Sequence, residues 1–90
     1  MKVPTVHMNG TSAEELTRQY LDAVAALDAA IVGMTRAYPN GRDYYTQGPK
    51  AFSEAAAEFM DRAKRVDAVR REFIDIADAI HDQVTERSRR

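Results

Sequence analysis

Cysteine and tryptophan are absent from this 90-residue chain, and its formal net charge is only −1. Without cysteine there is no disulfide framework, no thiolate nucleophile and no zinc–thiolate site. Binders of duplex DNA or RNA are normally strongly basic, so the charge argues against that class. No segment approaches the roughly 18 apolar residues of a membrane span, and the first residues lack an apolar signal-peptide region. These absences predict a cytoplasmic protein with neither membrane nor duplex nucleic acid as partner.

Catalytic motifs are missing as well. The sequence contains no Ser/His/Asp set, no glycine-rich phosphate loop and no His-Glu-x-x-His motif. Asp78 and His81 lie three residues apart on one predicted helical face. A di-metal helical bundle would also need inward-facing carboxylates from other helices, and the first half of the chain supplies no such set. We therefore expect no enzyme, no metal site and no cofactor.

The remaining sequence is dominated by two stretches with helical periodicity. They predict an all-α fold, a two-helix antiparallel hairpin of coiled-coil type, in a single domain over residues 1–90 that assembles into an oligomeric helical bundle. The predicted parts are an arm (1–10), helix 1 (11–38), a connector loop (39–48), helix 2 (49–85) and a basic tail (86–90). In the arm, Val6 and Met8 alternate with polar residues, which indicates an extended segment with one apolar edge.

Helix 1 has clear start and stop signals. Either Ser12 with Glu15 or Thr11 with Glu14 makes a capping box, in which the hydroxyl accepts an orphan amide and the glutamate reaches back. Pro39 ends the helix because the residue before a proline is pushed out of the helical region. Apolar residues recur between these signals at steps of three and four. They are Leu16, Tyr20, Ala23, Val24, Leu27, Ile31, Met34 and Tyr38.

Helix 2 is predicted to begin at Gly48-Pro49, with the proline in the first turn where its missing N–H costs nothing. Five large apolar residues then fall seven apart, a pattern typical of a coiled-coil seam. They are Phe52, Phe59, Val66, Phe73 and Ile80. Helix 2 is the longer helix by roughly 15 Å, so we expect its far end, from Phe73 to Val84, to extend beyond helix 1. The arm would cover part of that end and a second copy of the chain the rest.

Two groups of side chains are candidates for ligand binding. Arg65 and Arg70 flank the seam of helix 2, where they either form a salt-bridged solvated face or hold an anionic ligand between protomers. The connector contains Asn40, Arg42, Tyr44 and Tyr45. Its tyrosines either plug the end of the hairpin in a structured loop, or stack on a base while the Arg42 guanidinium binds phosphate.

The pattern His7-Met8-Asn9-Gly10-Thr11-Ser12, followed by Pro39-Asn40-Gly41-Arg42-Asp43-Tyr44-Tyr45 and Gln47-Gly48, resembles a family of small bacteriophage and prophage helical proteins. The resemblance implies an accessory protein that is made in the cytoplasm of a host bacterium. Small oligomeric helical phage proteins include sponges that sequester the cyclic-nucleotide signals of bacterial immunity. This chain is similar to them in size and helical character.

The resulting expectation is a non-enzymatic binding protein that sequesters a nucleotide-type signalling molecule at subunit boundaries, as an anti-defence sponge. The alternatives are a protein-interaction module that inhibits a host defence or regulatory protein, and a structural or accessory phage protein. The predicted ligand-binding residues are Asn40, Arg42, Tyr44, Tyr45, Arg65 and Arg70.

Overall fold

The computed structural model describes residues 1–88, with side chains through Glu86. Two long helices, α1 (Ala13–Thr35) and α2 (Ala51–Ser88), pack against each other and are joined by two short 3-10 helices, Gly41–Asp43 and Tyr45–Gln47. The described residues contain no β-strand. The all-α hairpin predicted from the two periodic stretches is therefore confirmed.

The start of α1 is capped by Ser12, as one of the two predicted capping boxes requires. Its hydroxyl oxygen accepts a hydrogen bond from the backbone amide of Glu15 at 3.1 Å. The Glu15 carboxylate does not reach back; it accepts from Gln19 Nε2 at 3.3 Å and pairs with Arg18. The cap satisfies one of the orphan amides of the first turn, while the reciprocal half of the box is replaced by contacts along the helix.

The end of α1 differs from the prediction, since the helix stops at Thr35 rather than at residue 38. The amides of Arg36, Ala37 and Tyr38 bond to carbonyls three residues earlier. These tighter bonds unwind the last turn before Pro39, because the residue preceding a proline cannot stay helical.

The connector is also more ordered than a simple loop. Asn40 Oδ1 accepts from the Arg42 amide at 3.1 Å and so begins the first 3-10 turn. Among the described residues, the glycine with a positive φ is Gly48, at 114°. That turn carries the chain past Pro49, and α2 begins at Ala51, two residues later than predicted. Pro49 thus precedes the helix rather than sitting in its first turn.

Two aromatic pairs fix the antiparallel register of α1 and α2. The ring of Tyr20 meets Phe73 edge to face, with centroids 5.4 Å apart, and Tyr38 meets Phe59 in the same way at 5.2 Å. Helix α1 therefore reaches Phe73, and its residues Ala13 and Leu16 pack against Ile76 and Ile80. The expectation that α2 extends beyond helix 1 from Phe73 onward is wrong. The excess length of α2 lies instead at the connector end, where Phe52 is 39% exposed.

The core lies at the opposite end, where the arm joins the two helices. Val6, Ile76 and Ile80 form a buried cluster against which Val3 and Tyr20 pack. As expected, the arm covers part of α2. Its apolar edge is nevertheless shorter than predicted: a turn at residues 8–10, closed by a hydrogen bond from the Gly10 amide to the His7 carbonyl, leaves Met8 96% exposed.

The molecule is a rod of 65 × 19 × 19 Å with a radius of gyration of 19.5 Å. A compact 90-residue domain would have a radius of about 12 Å. Along the predicted seam, burial rises from Phe52 at 39% exposure to Ile80 at 0%. Where α1 and the arm lie beside α2, the seam residues face them. These residues therefore pack as the seven-residue repeat indicated.

Helix α2 continues through Ser88, beyond the predicted end at residue 85. It therefore includes part of the predicted basic tail (86–90), and residues 89–90 lie outside the described residues. No helix in the described chain combines the length and apolarity needed to cross a bilayer.

Candidate functional site

The six predicted ligand-binding residues lie in two separate regions. Asn40, Arg42, Tyr44 and Tyr45 belong to the connector at one end of the rod. Arg65 lies 14 residues into α2 from its start at Ala51, which corresponds to about 21 Å, and Arg70 lies about 28 Å along the same helix. Within one chain, the structure does not bring the two sets together around one ligand.

At the connector end, side chains are available for binding. Arg42 is exposed, and its guanidinium makes no ion pair with the described residues. Tyr45 is 75% exposed, whereas Tyr44 is half-buried and Tyr38 packs on Phe59. Tyr38 therefore packs against the hairpin, whereas Tyr45, three residues after the unpaired Arg42, presents its ring to solvent.

The arginines in the middle of α2 are paired with carboxylates instead. Arg65 Nε lies 3.0 Å from Asp61 Oδ2, and Arg71 Nε lies 2.9 Å from Asp67 Oδ2, each one helical turn away. Arg62 makes a longer pair with Glu58 at 3.8 Å. Of the two alternatives given for Arg65, these ion pairs agree with the salt-bridged, solvated face.

Arg70 has a structural contact across the hairpin. Its Nε donates to Asp28 Oδ1 of α1 at 2.5 Å, and its Nη1 lies 3.8 Å from Asp67. The Arg70 side chain is 30% exposed and that of Asp28 53%. A charge-assisted hydrogen bond in this position ties the two helices together, so Arg70 is occupied in the single chain.

A groove that the sequence did not single out runs between α1 and α2. It is an open depression of about 460 Å³ lined by Leu27, Arg62, Arg65, Val66 and Val69. Val69, at 42% exposure, lies seven residues before the arm-covered Ile76. Val69 flanks the seam in the sequence, but the seven-residue repeat alone does not show that the groove beside it stays open.

The described residues contain no group of three or more metal-ligating side chains placed to hold an ion. No protein-family model, curated protein or solved structure matches the chain. The chemistry of the exposed groups is therefore the basis for a functional proposal.

Proposed function

We propose that this chain is a phage-derived, non-enzymatic binding protein that sequesters a small anionic ligand of nucleotide type at its connector end. The observation that carries the proposal is the contrast between arginines. Those of α2 from residue 62 to 71 all pair with carboxylates, whereas Arg42 pairs with none of the described residues. An unpaired guanidinium matches the geometry of a phosphate group.

The neighbouring aromatic ring supplies the second half of the recognition. Tyr45 lies three residues after Arg42, and its ring is 75% exposed. A base that stacks on a tyrosine gains about 1–3 kcal/mol, while the guanidinium binds the phosphate. The resemblance of this segment to phage proteins supports the biological setting, in which the ligand is a signal of bacterial immunity.

A thermal-shift series with a cyclic dinucleotide, ADP-ribose and inorganic phosphate tests the proposal. A site filled at about 100 times its dissociation constant adds about 2.7 kcal/mol of stability, which raises the melting temperature by about 10 °C or more in a domain of this size. We expect a nucleotide to produce such a rise and phosphate alone to produce less. If none of the nucleotides moves the transition, the proposal is wrong.

Variants assign the effect to the connector. Arg42→Ala and Tyr45→Ala should each remove the nucleotide-dependent rise while the helical signal in circular dichroism stays unchanged. Arg36→Ala is the matched control, since Arg36 is an exposed arginine at the end of α1. An equal loss of binding in Arg36→Ala would indicate general charge attraction rather than a site at Arg42.

The second candidate is a protein-interaction module that inhibits a host defence or regulatory protein. It is favoured by two exposed apolar side chains on α1, Leu21 at 49% and Val32 at 59%. They are eleven residues apart, so three helical turns bring them onto nearly the same face. Apolar anchors spaced along one helical face are a common mode of helix recognition.

A pull-down from a bacterial lysate distinguishes this candidate. A specific partner should be retained by the wild type and lost when Leu21→Glu and Val32→Glu are combined. The control combines Ala26→Glu and Gly33→Glu, which add the same charge on another face where a side chain at Gly33 meets open space. Retention of the same partner by both variants would exclude this face as its binding surface.

A further inference from the structure

We propose that Asn40 is a positioning residue of the connector site. Its side chain holds the backbone of Arg42 in the turn from which the guanidinium meets an anionic ligand, and it does not contact the ligand itself. This inference rests on the proposed function and adds how that site is prepared for its ligand. The ligand class stays the same, a phosphate group carried by a nucleotide.

The side-chain oxygen of Asn40 is already in use in the free protein. Asn40 Oδ1 accepts from the backbone amide of Arg42 at 3.1 Å, and the Asn40 backbone is extended, with φ −112° and ψ 131°. This is the conformation of an asparagine that caps a helical turn. Because the donor is the amide of Arg42 itself, the bond acts directly on the residue whose side chain is assigned to phosphate.

Two backbone hydrogen bonds complete the turn that this cap begins. The Asp43 amide bonds to the Asn40 carbonyl and the Tyr44 amide to the Gly41 carbonyl, both at 3.0 Å. Hydrogen bonds of 3-10 turns have poorer geometry than those of an α-helix, and such turns are short for that reason. Losing the cap would therefore remove an important part of what holds Arg42 in place.

Gly41 makes the turn depend on its cap. It lies between Asn40 and Arg42, and beyond its chain neighbours no atom lies within 4 Å of the place a Cβ would take. Glycine has no side chain to pack, and it loses more conformational freedom on folding than any other residue. Arg42 forms no ion pair with the described residues that could fix it instead.

The stretch around this turn is attached to the hairpin on both sides. Before it, Tyr38 packs edge to face on Phe59, and Pro39 follows with its φ fixed by the ring. After it, Tyr44 is half-buried. With both ends held, the cap selects one conformation for the glycine-containing part between them. A ligand that meets this preformed turn does not have to order it, which favours binding.

Isothermal titration with ADP-ribose and with a cyclic dinucleotide, well below the unfolding transition, measures the effect. Asn40→Ala removes the cap, so that the turn must be ordered during binding. We expect the dissociation constant to rise about fivefold, since the loss of one cap is worth about 1 kcal/mol. A role in stability alone would leave the dissociation constant of the folded protein unchanged.

Asn40→Ser separates positioning from ligand contact. Serine caps about as well as asparagine, so this variant should restore the wild-type dissociation constant to within about twofold. Its short hydroxyl cannot replace the Asn40 Nδ2 group at a ligand. Ser12→Ala is the matched control, because it removes a cap of the same length, 3.1 Å to the Glu15 amide, at the start of α1. It should lower stability and leave the dissociation constant unchanged.

The outcomes distinguish this inference from the proposed function. If the wild type binds neither nucleotide, the proposed function is wrong and the positioning role falls with it. If the wild type binds and Asn40→Ala binds equally well, the proposed function stands and the positioning role is wrong. Binding by Asn40→Ser as weak as that of Asn40→Ala would overturn it in favour of direct contact. An equal loss in Ser12→Ala would overturn it in favour of general destabilisation.

Discussion

The backbone amide of Val6 donates a 2.9 Å hydrogen bond to Oε1 of Gln83, 77 residues later in the chain. The Nε2 of the same side chain donates to the Pro4 carbonyl at 2.8 Å. The side-chain amide of Gln83 thus satisfies one backbone donor and one backbone acceptor of the arm, and the described residues provide no β-strand that could do so instead. This double contact fixes the arm over Ile76 and Ile80, where the core lies.

We expect Gln83→Ala to lower the free energy of unfolding by about 1–3 kcal/mol, because it leaves two partly buried backbone groups of the arm without these partners. Urea denaturation measures the loss, and limited proteolysis should cut the arm faster. Gln19→Ala is the matched control, since the exposed Gln19 side chain hydrogen-bonds to Glu15 on its own helix. An arm equally resistant in both variants would contradict the role given to Gln83.

Ile80 is the one described large side chain with no exposed surface. Ile80→Ala should cost about 2–5 kcal/mol, since it removes apolar contacts and leaves a cavity at the junction of the arm with both helices. Val32→Ala, at a position 59% exposed, should change stability by less than about 0.5 kcal/mol. Thermal or urea unfolding of the two variants compares them directly, and similar values would place the core elsewhere.

The cap of α1 gives a prediction that separates the two capping boxes read from the sequence. Ser12→Ala should cost about 1 kcal/mol, because the Glu15 amide loses its acceptor. Thr11→Ala should cost much less, since the cap hydroxyl is that of Ser12. The measurement is the midpoint of urea unfolding, and a larger loss in Thr11→Ala would assign the cap to the other residue.

The cross-helix pair of Asp28 and Arg70 should show a coupling energy of about 0.5–1 kcal/mol in a double-mutant cycle with alanine. Both side chains are partly exposed, so the coupling should shrink in 1 M salt, where the screening length falls to about 3 Å. The cycle for Asp67 and Arg71, which lie one turn apart on α2, is the comparison. No coupling between Asp28 and Arg70 would show that their contact does not stabilise the hairpin.

Substitutions of Tyr38 and Tyr45, which lie close in sequence, should change the stability of the protein by very different amounts. Tyr38→Ala removes the edge-to-face contact with Phe59 and should cost about 1–2 kcal/mol. Tyr45→Ala, at a position 75% exposed, should leave stability within about 0.5 kcal/mol. If Tyr45→Ala unfolds the protein to the same extent, its ring is structural and not available for a ligand.

Much of this fold follows from local rules that the sequence displays. The seven-residue repeat shows which side of α2 faces inward, and Ser12 before Glu15 marks where α1 starts. Neither pattern determines how far the two helices are shifted along each other. That register depends on how the connector folds, and its 3-10 turns let Tyr38 meet Phe59. The prediction consequently placed the uncovered length of α2 at the wrong end.

The residue types of the candidate site could be predicted from the sequence, but which arginines form ion pairs could not. Arg42 and Arg65 look alike in the sequence, and both are exposed cations near possible partners. Asp61 lies one helical turn before Arg65 and pairs with it. Asp43 follows Arg42 directly and forms no ion pair with it. Helical spacing brings charges together in a way that adjacency in a tight turn does not.

The elongated outline of the hairpin affects how its copy number is measured. A body 65 Å long and 19 Å wide tumbles and diffuses more slowly than a sphere of equal mass. On a gel-filtration column calibrated with globular standards, a single chain would elute early and resemble a larger assembly. Sedimentation velocity, which reports frictional ratio together with mass, separates an extended monomer from a true pair.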